Sequence, residues 1–152
     1  MTQLTWCCSS YPASVAGYDA GGCATGTAEL VRLIKKPVGE QPYSNIFLVG
    51  YSQGAQVVHN ALDYTSADDD KHIAGILLFG DPFHHGSSWA KNFQNNVASK
   101  VRTFANERDP VTKSKVDIGN IIRGLGNAYY HLQYESSVPE AVGFIVQWSN
   151  SR

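Results

Sequence analysis

The chain has 152 residues, of which 43% are hydrophobic and 16% charged, with a net charge of -1. That length supports one folded domain over residues 1–152 with a core that needs no cross-links, and the near-neutral charge, without a basic stripe, excludes a nucleic-acid partner. No apolar run reaches the length of a membrane span, and the opening MTQLTWCC lacks the basic start, long apolar stretch and cleavage site of a signal peptide.

In chain order, LTWCC (4–8) reads as a short strand ending at the turn-forming SSYP. Cys7, Cys8 and Cys23 are odd in number, so at least one lacks a partner within the chain, and their spacing is not that of a zinc site. Residues 24–36 place Leu30, Val31, Leu33 and Ile34 on one helical face, with Pro37 as the stop. The apolar run 45–51 predicts a strand covered on both faces. Residues 53–64 follow with Ala55, Val58, Ala61 and Leu62 on a helical face.

SADDDK (66–71) is the one charge run and reads as a solvated loop. IAGILLFG (73–80) is a second two-sided strand, ended by the turn chemistry of DPFHHG. KVRTFA (100–105) alternates and reads as a strand nearer an edge. Residues 138–148 form a helix with Ala141, Phe144, Ile145 and Trp148 on its face, Ser137 as its cap and Pro139 in its first turn. Strands alternating with helices predict an α/β fold, a three-layer sandwich around a mostly parallel sheet. In such sheets the working site lies at the carboxyl ends of the strands. Ser52, Asp81 and Asp109 all fall there.

Gly50-Tyr51-Ser52-Gln53-Gly54 fits a strand–Ser–helix elbow, in which the serine takes a strained conformation and small flanking residues let strand and helix approach. The helix that follows directs its N-terminus at the site, where developing negative charge is favoured. A serine hydroxyl needs a base, usually a histidine held by a carboxylate. In this architecture the order is Ser, acid, His. His59 falls in the helix after the elbow, where it packs or faces water. His131 is the histidine that follows both acid candidates. Asp81 with His84 or His85 leaves an awkward span back to Ser52, and Asp81 also serves as a turn cap before Pro82. The long loop between Asp109 and His131 favours Asp109.

These residues resemble the cutinase and acetylxylan esterase family. The elbow and Ala55 match its Gly-Tyr-Ser-Gln-Gly-Ala. YPAS (11–14) with GYDAGG (17–22) is similar to the segment ahead of its first long helix, and LFGDP (78–82) to a strand end of many members. FANERDPVT (104–112) resembles its acid loop, giving Asn106 and Asp109, and HLQY (131–134) its His-Leu-x-Tyr, giving His131. The resemblance implies a minimal α/β-hydrolase with a five-stranded parallel sheet. It further implies a secreted serine esterase acting without cofactor or metal, with Ser52, Asp109 and His131 as triad. The Gln53 N–H is then one oxyanion donor. The expected substrate is a polymeric or lipid-like ester, cutin-like or acetylated polysaccharide, met by a monomer.

The chain departs from the family at positions matching Ala105, Thr112 and Gln41, where members carry cysteines. It also lacks the family's earlier central strand and the loop that supplies the second oxyanion donor, unless LTWCC with Ser9 and Ser10 stands in. A shortened form is therefore expected. Two other readings share the pattern: a truncated, non-catalytic hydrolase-like domain, and an intracellular thioesterase. Ile118, Ile121, Ile122 and Leu125 are the candidate acyl-groove residues.

Overall fold

A computed structural model describes residues 21–40, 45–84, 92–113 and 128–149. The expected strand 4–8, with Ser9 and Ser10, and the residues from Ile118 to Leu125 lie outside the described residues. The first described element is α1 (Ala24–Glu40), followed by β1 (Ile46–Tyr51), α2 (Gln53–Leu62), α3 (Ala67–Asp70) and β2 (Ile73–Phe79). Then come α4 (Asn95–Ala98), β3 (Val101–Phe104), α5 (Pro110–Lys113), α6 (Ala128–His131), a 3-10 turn over Glu135–Ser137 and α7 (Val138–Ser149).

The described sheet has three strands in the order β1-β2-β3, all parallel. β2 is central and buried along nearly its whole length, as a continuous apolar run with layers on both faces requires. Ile76 and Leu78 join Ile34, Leu48, Ala55, Val58, Ala61 and Leu62 in one core, which seats α1 and α2. On the opposite face Leu77 packs with Phe104, Tyr134 and Ala141, backed by Phe144 and Ile145 of α7. The fold is thus the α/β sandwich that the alternation predicts.

Several local expectations are corrected. α1 runs past Pro37 to Glu40; a proline deletes one backbone donor, and the turns on either side carry the helix on. β1 is not covered on both faces, because Val49 is 59% and Tyr51 43% exposed. SADDDK is solvated at Ser66, Ala67, Asp68 and Lys71, but it is not a loop. Ser66 and Asp69 form a reciprocal capping box at the start of α3, which satisfies first-turn donors and makes a four-residue helical turn stable. Asp69 and Asp70 are buried there. Asp70 accepts from the Thr65 hydroxyl at 2.8 Å and from the Asn96 side chain. Ser137 does not stand as a cap outside the last helix; it closes the 3-10 turn that runs directly into α7.

The strand ends are aligned. Tyr51 is opposite Phe79 and Phe79 opposite Phe104, so the loops after all three strands leave from one edge. The approach of β1 to α2 is set by Gly50, where a Cβ would lie 2.7 Å from Ala55 Cα and 2.8 Å from Ala55 N. Gly54, the other small residue of the elbow, has no described atom within 4 Å of such a Cβ. The two glycines are therefore not equivalent. Gly50→Ala should lower stability by about 1–3 kcal/mol, because backbone must move, whereas Gly54→Ala should leave it unchanged or raise it by up to about 1 kcal/mol. Urea unfolding of the two variants tests this, and equal losses at both positions would contradict it.

Candidate active site

Ser52 stands between β1 and α2 with φ 54° and ψ -121°, the only non-glycine residue of positive φ among those described. Such a conformation costs on the order of 1–3 kcal/mol and persists only where neighbours over-determine it. They do so here. The Ser52 N–H donates to the Phe79 carbonyl at 2.9 Å, and the Ser52 carbonyl accepts from Ala55 N–H at 2.9 Å. The turn is stitched to β2 on one side and to α2 on the other.

His131 ends α6, and its imidazole reaches Ser52 across the strand ends. The Ser52 Oγ lies 2.8 Å from His131 Nε2, and Asp109 Oδ2 lies 2.8 Å from His131 Nδ1. An ionised carboxylate only accepts, so Nδ1 carries the proton and Nε2 is left to accept from the serine. Gly80 makes room for this ring. Its φ is +55°, and a Cβ there would come within 2.7 Å of His131 Cε1. Tyr51 covers the ring from another side, stacked at 5.2 Å, and its hydroxyl donates to the His131 carbonyl at 2.7 Å.

Asp109 is fully buried. Isolated, that charge would be untenable, and the chain surrounds it with donors. Val111 N–H donates to Oδ1 at 2.8 Å, while the Tyr134 hydroxyl donates to Oδ2 at 2.6 Å beside His131. Burial alone would push the Asp109 carboxyl up, but the hydrogen bonds from His131, Tyr134 and the Val111 N–H outweigh it, and the net shift is downward. Burial first, and then the Asp109 carboxylate, hold the Tyr134 phenol above the ordinary tyrosine range despite the opposing Asn106 N–H. Tyr134 therefore stays a donor.

Asn106 ties the acid loop to the base loop. Its N–H donates to the Tyr134 oxygen at 3.2 Å and its side-chain amide to the Tyr130 carbonyl at 3.3 Å. Its Oδ1 accepts from Arg108 N–H at 3.0 Å, shaping the turn that presents Asp109. Thr112, at a position where the resemblance leads one to look for a cysteine, is fully buried, and its hydroxyl donates to the Asp109 carbonyl at 3.2 Å. Cys23 is a free thiol. Gln53, the residue after the serine, is buried at the first position of α2.

Ser52, His131 and Asp109 thus come together, and the rival acid does not join them. Asp81 is paired with His59 instead, Nε2 to Oδ2 at 2.9 Å, and its Oδ1 accepts from Phe83 N–H at 2.8 Å. Sequence reasoning missed Tyr134 and Gly80. Tyr134 carried a signal, a tyrosine three residues past the histidine in a turn. Gly80 carried none beyond its place at a strand end.

A parallel sheet flanked by helices, with a strained serine at a strand end and a His–Asp pair brought to it from later loops, defines the α/β-hydrolase class. The cutinase family model matches residues 2–148, and the chain belongs to the cutinase family. A cutinase of Coprinopsis cinerea is 32% identical over 137 residues, covering 89% of this chain and 61% of that protein. A cutinase of Trichoderma harzianum is 30% identical over 135 residues, covering 89% and 48%. Among solved structures, a Trichoderma reesei cutinase in complex with a phosphonate inhibitor has a TM-score of 0.65 at 27% identity, covering 82% of this chain and 52% of that one. An acetylxylan esterase has a TM-score of 0.62 at 22% identity, covering 82% and 69%, a likeness of fold. The chain spans 61% and 48% of the length of the two cutinases named first.

The downward shift of Asp109 has a defined pH signature. Its folded pKa lies below its unfolded one, so its ionisation stabilises the fold above the unfolded value and that contribution is lost as pH falls through the folded value. Tyr134→Phe removes one of the donors that lower it. The stability gap between the parent and Tyr134→Phe should be about 1.5–3 kcal/mol near neutral pH and shrink once the pH drops below about 4. Urea unfolding across that range measures it, and a gap that does not change with pH would show that the phenol does not serve the ionised carboxylate.

Proposed function

We propose that this chain is a serine esterase hydrolysing carboxylic esters. Ser52 is the nucleophile, His131 the general base and then acid, and Asp109 the carboxylate that orients His131 and stabilises its charged form. The observation that carries the reading is the imidazole of His131 standing 2.8 Å from both Ser52 Oγ and Asp109 Oδ2. Membership of the cutinase family supports the reaction class.

Each step balances with these groups. His131 Nε2 takes the Ser52 proton as Oγ bonds to the ester carbonyl carbon, and the carbonyl electron pair moves onto oxygen. The oxyanion meets the N-terminal turn of α2, where the Gln53 N–H is the donor we assign. Collapse breaks the bond to the alkoxy oxygen, which leaves with the proton held by His131. Water then attacks the acyl carbon, His131 takes its proton, and Ser52 Oγ departs with that proton. Asp109 stays ionised throughout, consistent with its lowered pKa.

For substrate we infer a polymeric or lipid-like ester, cutin-like or an acetylated polysaccharide. Leu132, next to His131, is 64% exposed and Tyr129 is 65% exposed, an apolar rim suited to an acyl chain or an insoluble surface. A polymer is met outside the cell, so an extracellular, monomeric enzyme completes the reading. Ser52→Ala should lower hydrolysis of p-nitrophenyl butyrate by at least about 10⁴-fold and abolish labelling by a fluorophosphonate. Parental rates in that variant would sink the proposal, and a parent that neither hydrolyses the ester nor takes the label would leave a non-catalytic hydrolase-like domain. Across acyl lengths the apolar rim predicts faster turnover of butyrate than of acetate, and a sharp acetate preference would direct the reading to acetylated polysaccharide.

A further inference from the structure

The chain contains a second His–Asp pair that the mechanism above does not use. His59 and Asp81 side chains are each 2% exposed, and Nε2 lies 2.9 Å from Oδ2. His59 is stacked on Phe93 at 4.1 Å and meets Phe83 edge-on at 5.4 Å. An ionised Asp81 only accepts, so His59 Nε2–H is the donor. No serine, threonine or cysteine among the described residues is bonded to this pair, and it is sealed by aromatic rings. It is a strut, and its ends are informative.

One end is on α2, seven residues from Ser52, close to two helical turns along and on the same side of the helix. The other end is Asp81, directly after Gly80. The segment Phe79–Gly80–Asp81 touches each member of the candidate triad. The Phe79 carbonyl accepts from Ser52 N–H at 2.9 Å. Gly80 backs the His131 ring so closely that a Cβ would lie 2.7 Å from Cε1, and 3.3 Å from Asp109 Oδ2. Gly80 N–H is itself held by the Phe104 carbonyl at 3.1 Å. Asp81 is the part of the segment that reaches away from the site, and its two oxygens are taken by His59 and by Phe83 N–H. The floor under His131 is therefore anchored to the nucleophile's own helix through one buried bond.

We propose that His59 and Asp81 are positioning residues, which hold the Gly80 turn in register with α2 and so set the His131 imidazole between Ser52 and Asp109. This rests on the esterase reading for its kinetic consequence, but not for its geometric one. Without the strut, the Gly80 turn keeps its bonds to Phe104 and Phe83 but loses its side-chain tie to α2, and a misplacement of about 1 Å far from the reacting atoms lowers rates by up to about 100-fold.

The test compares the parent with His59→Leu, which keeps the bulk and removes the donor, and His59→Gln, whose amide can replace the Nε2–H. Turnover is expressed per site titrated by a fluorophosphonate. His59→Leu should lower kcat about 10- to 100-fold with KM nearly unchanged, and His59→Gln should recover most of it. A merely structural role would lower the urea midpoint while leaving kcat per titrated site within about twofold of the parent, and that result overturns the proposal. If His59→Leu does not fold, His59→Phe replaces it, since its ring keeps the packing against Phe93 and Phe83 but carries no donor. A several-fold fall in kcat per site is then expected, and parental kcat refutes the idea.

A readout independent of hydrolysis separates this inference from the esterase reading. The Nδ1–H proton of His131, bonded to Asp109, should give a downfield NMR resonance. It should move in His59→Leu and return in His59→Gln. A resonance unmoved by His59→Leu overturns the positioning role, whether or not the parent turns over esters. Loss of Ser52-dependent turnover with the resonance behaving as stated overturns only the esterase reading.

Discussion

The close crossing of β1 and α2 at Gly50 and Ala55 is the constraint on which the rest of the site depends. With backbone atoms this near, the chain must reverse within Tyr51 and Ser52, and Ser52 takes φ 54° as a result. That conformation is unfavourable by itself. It is offset by the bonds of Ser52 to Phe79 and Ala55 and by the buried face of α2, where Ala55, Val58 and Ala61 are each at most 2% exposed. The strain lifts Oγ to the edge where β2 and β3 also end. Every other group of the site is brought to that fixed point.

What is brought there is a buried charge with all its neighbours arranged around it. Asp109 is buried because Val111, Tyr134 and His131 each give it a hydrogen bond, and those donors come from two different loops. Asn106 joins the loops through backbone and side-chain bonds. The carboxylate is thus less a single functional residue than the centre around which the acid loop and the base loop are assembled. The same pair of residue types at Asp81 and His59 is buried without a nucleophile. There the bond links a helix to a turn. The two pairs differ in what stands on the far side of the imidazole: Ser52 Oγ lies 2.8 Å from His131, and no described serine, threonine or cysteine is bonded to His59.

Much of the architecture was legible because it follows from local pattern. The apolar run 73–80 can only be buried as a central strand, and β2 is one. The elbow follows from glycines, a serine and a helix face adjacent in sequence. Errors arose where one residue type has more than one physical use. Pro37 has the local signature of a stop, yet a proline removes a single donor and α1 continues. A charge run suggests solvated aspartates, and Asp68 is one, but Ser66 and Asp69 satisfy each other and Asp70 is bonded to Thr65 and Asn96. The apolar run of β1 suggests two covered faces, and the exposure of Val49 shows that hydrophobicity alone does not say what lies on each face.

The sequence by itself determined the alternation of strands and helices, the elbow at Ser52 and the order of serine, acid and histidine, because these depend on period, on steric demands at adjacent residues and on chain direction. It favoured Asp109 over Asp81 by the span each leaves back to Ser52, but it did not fix the partner of either. Both follow a strand, both accept a backbone N–H two residues on, and both are buried. Only the tertiary structure assigns Asp109 to His131 and Asp81 to His59. The physical reason is that a carboxylate's partner is whichever donor the packing carries to within hydrogen-bond distance. His131 is 22 residues from Asp109 in sequence and His59 is 22 from Asp81, so the separation of the partners alone does not say which pair faces the serine.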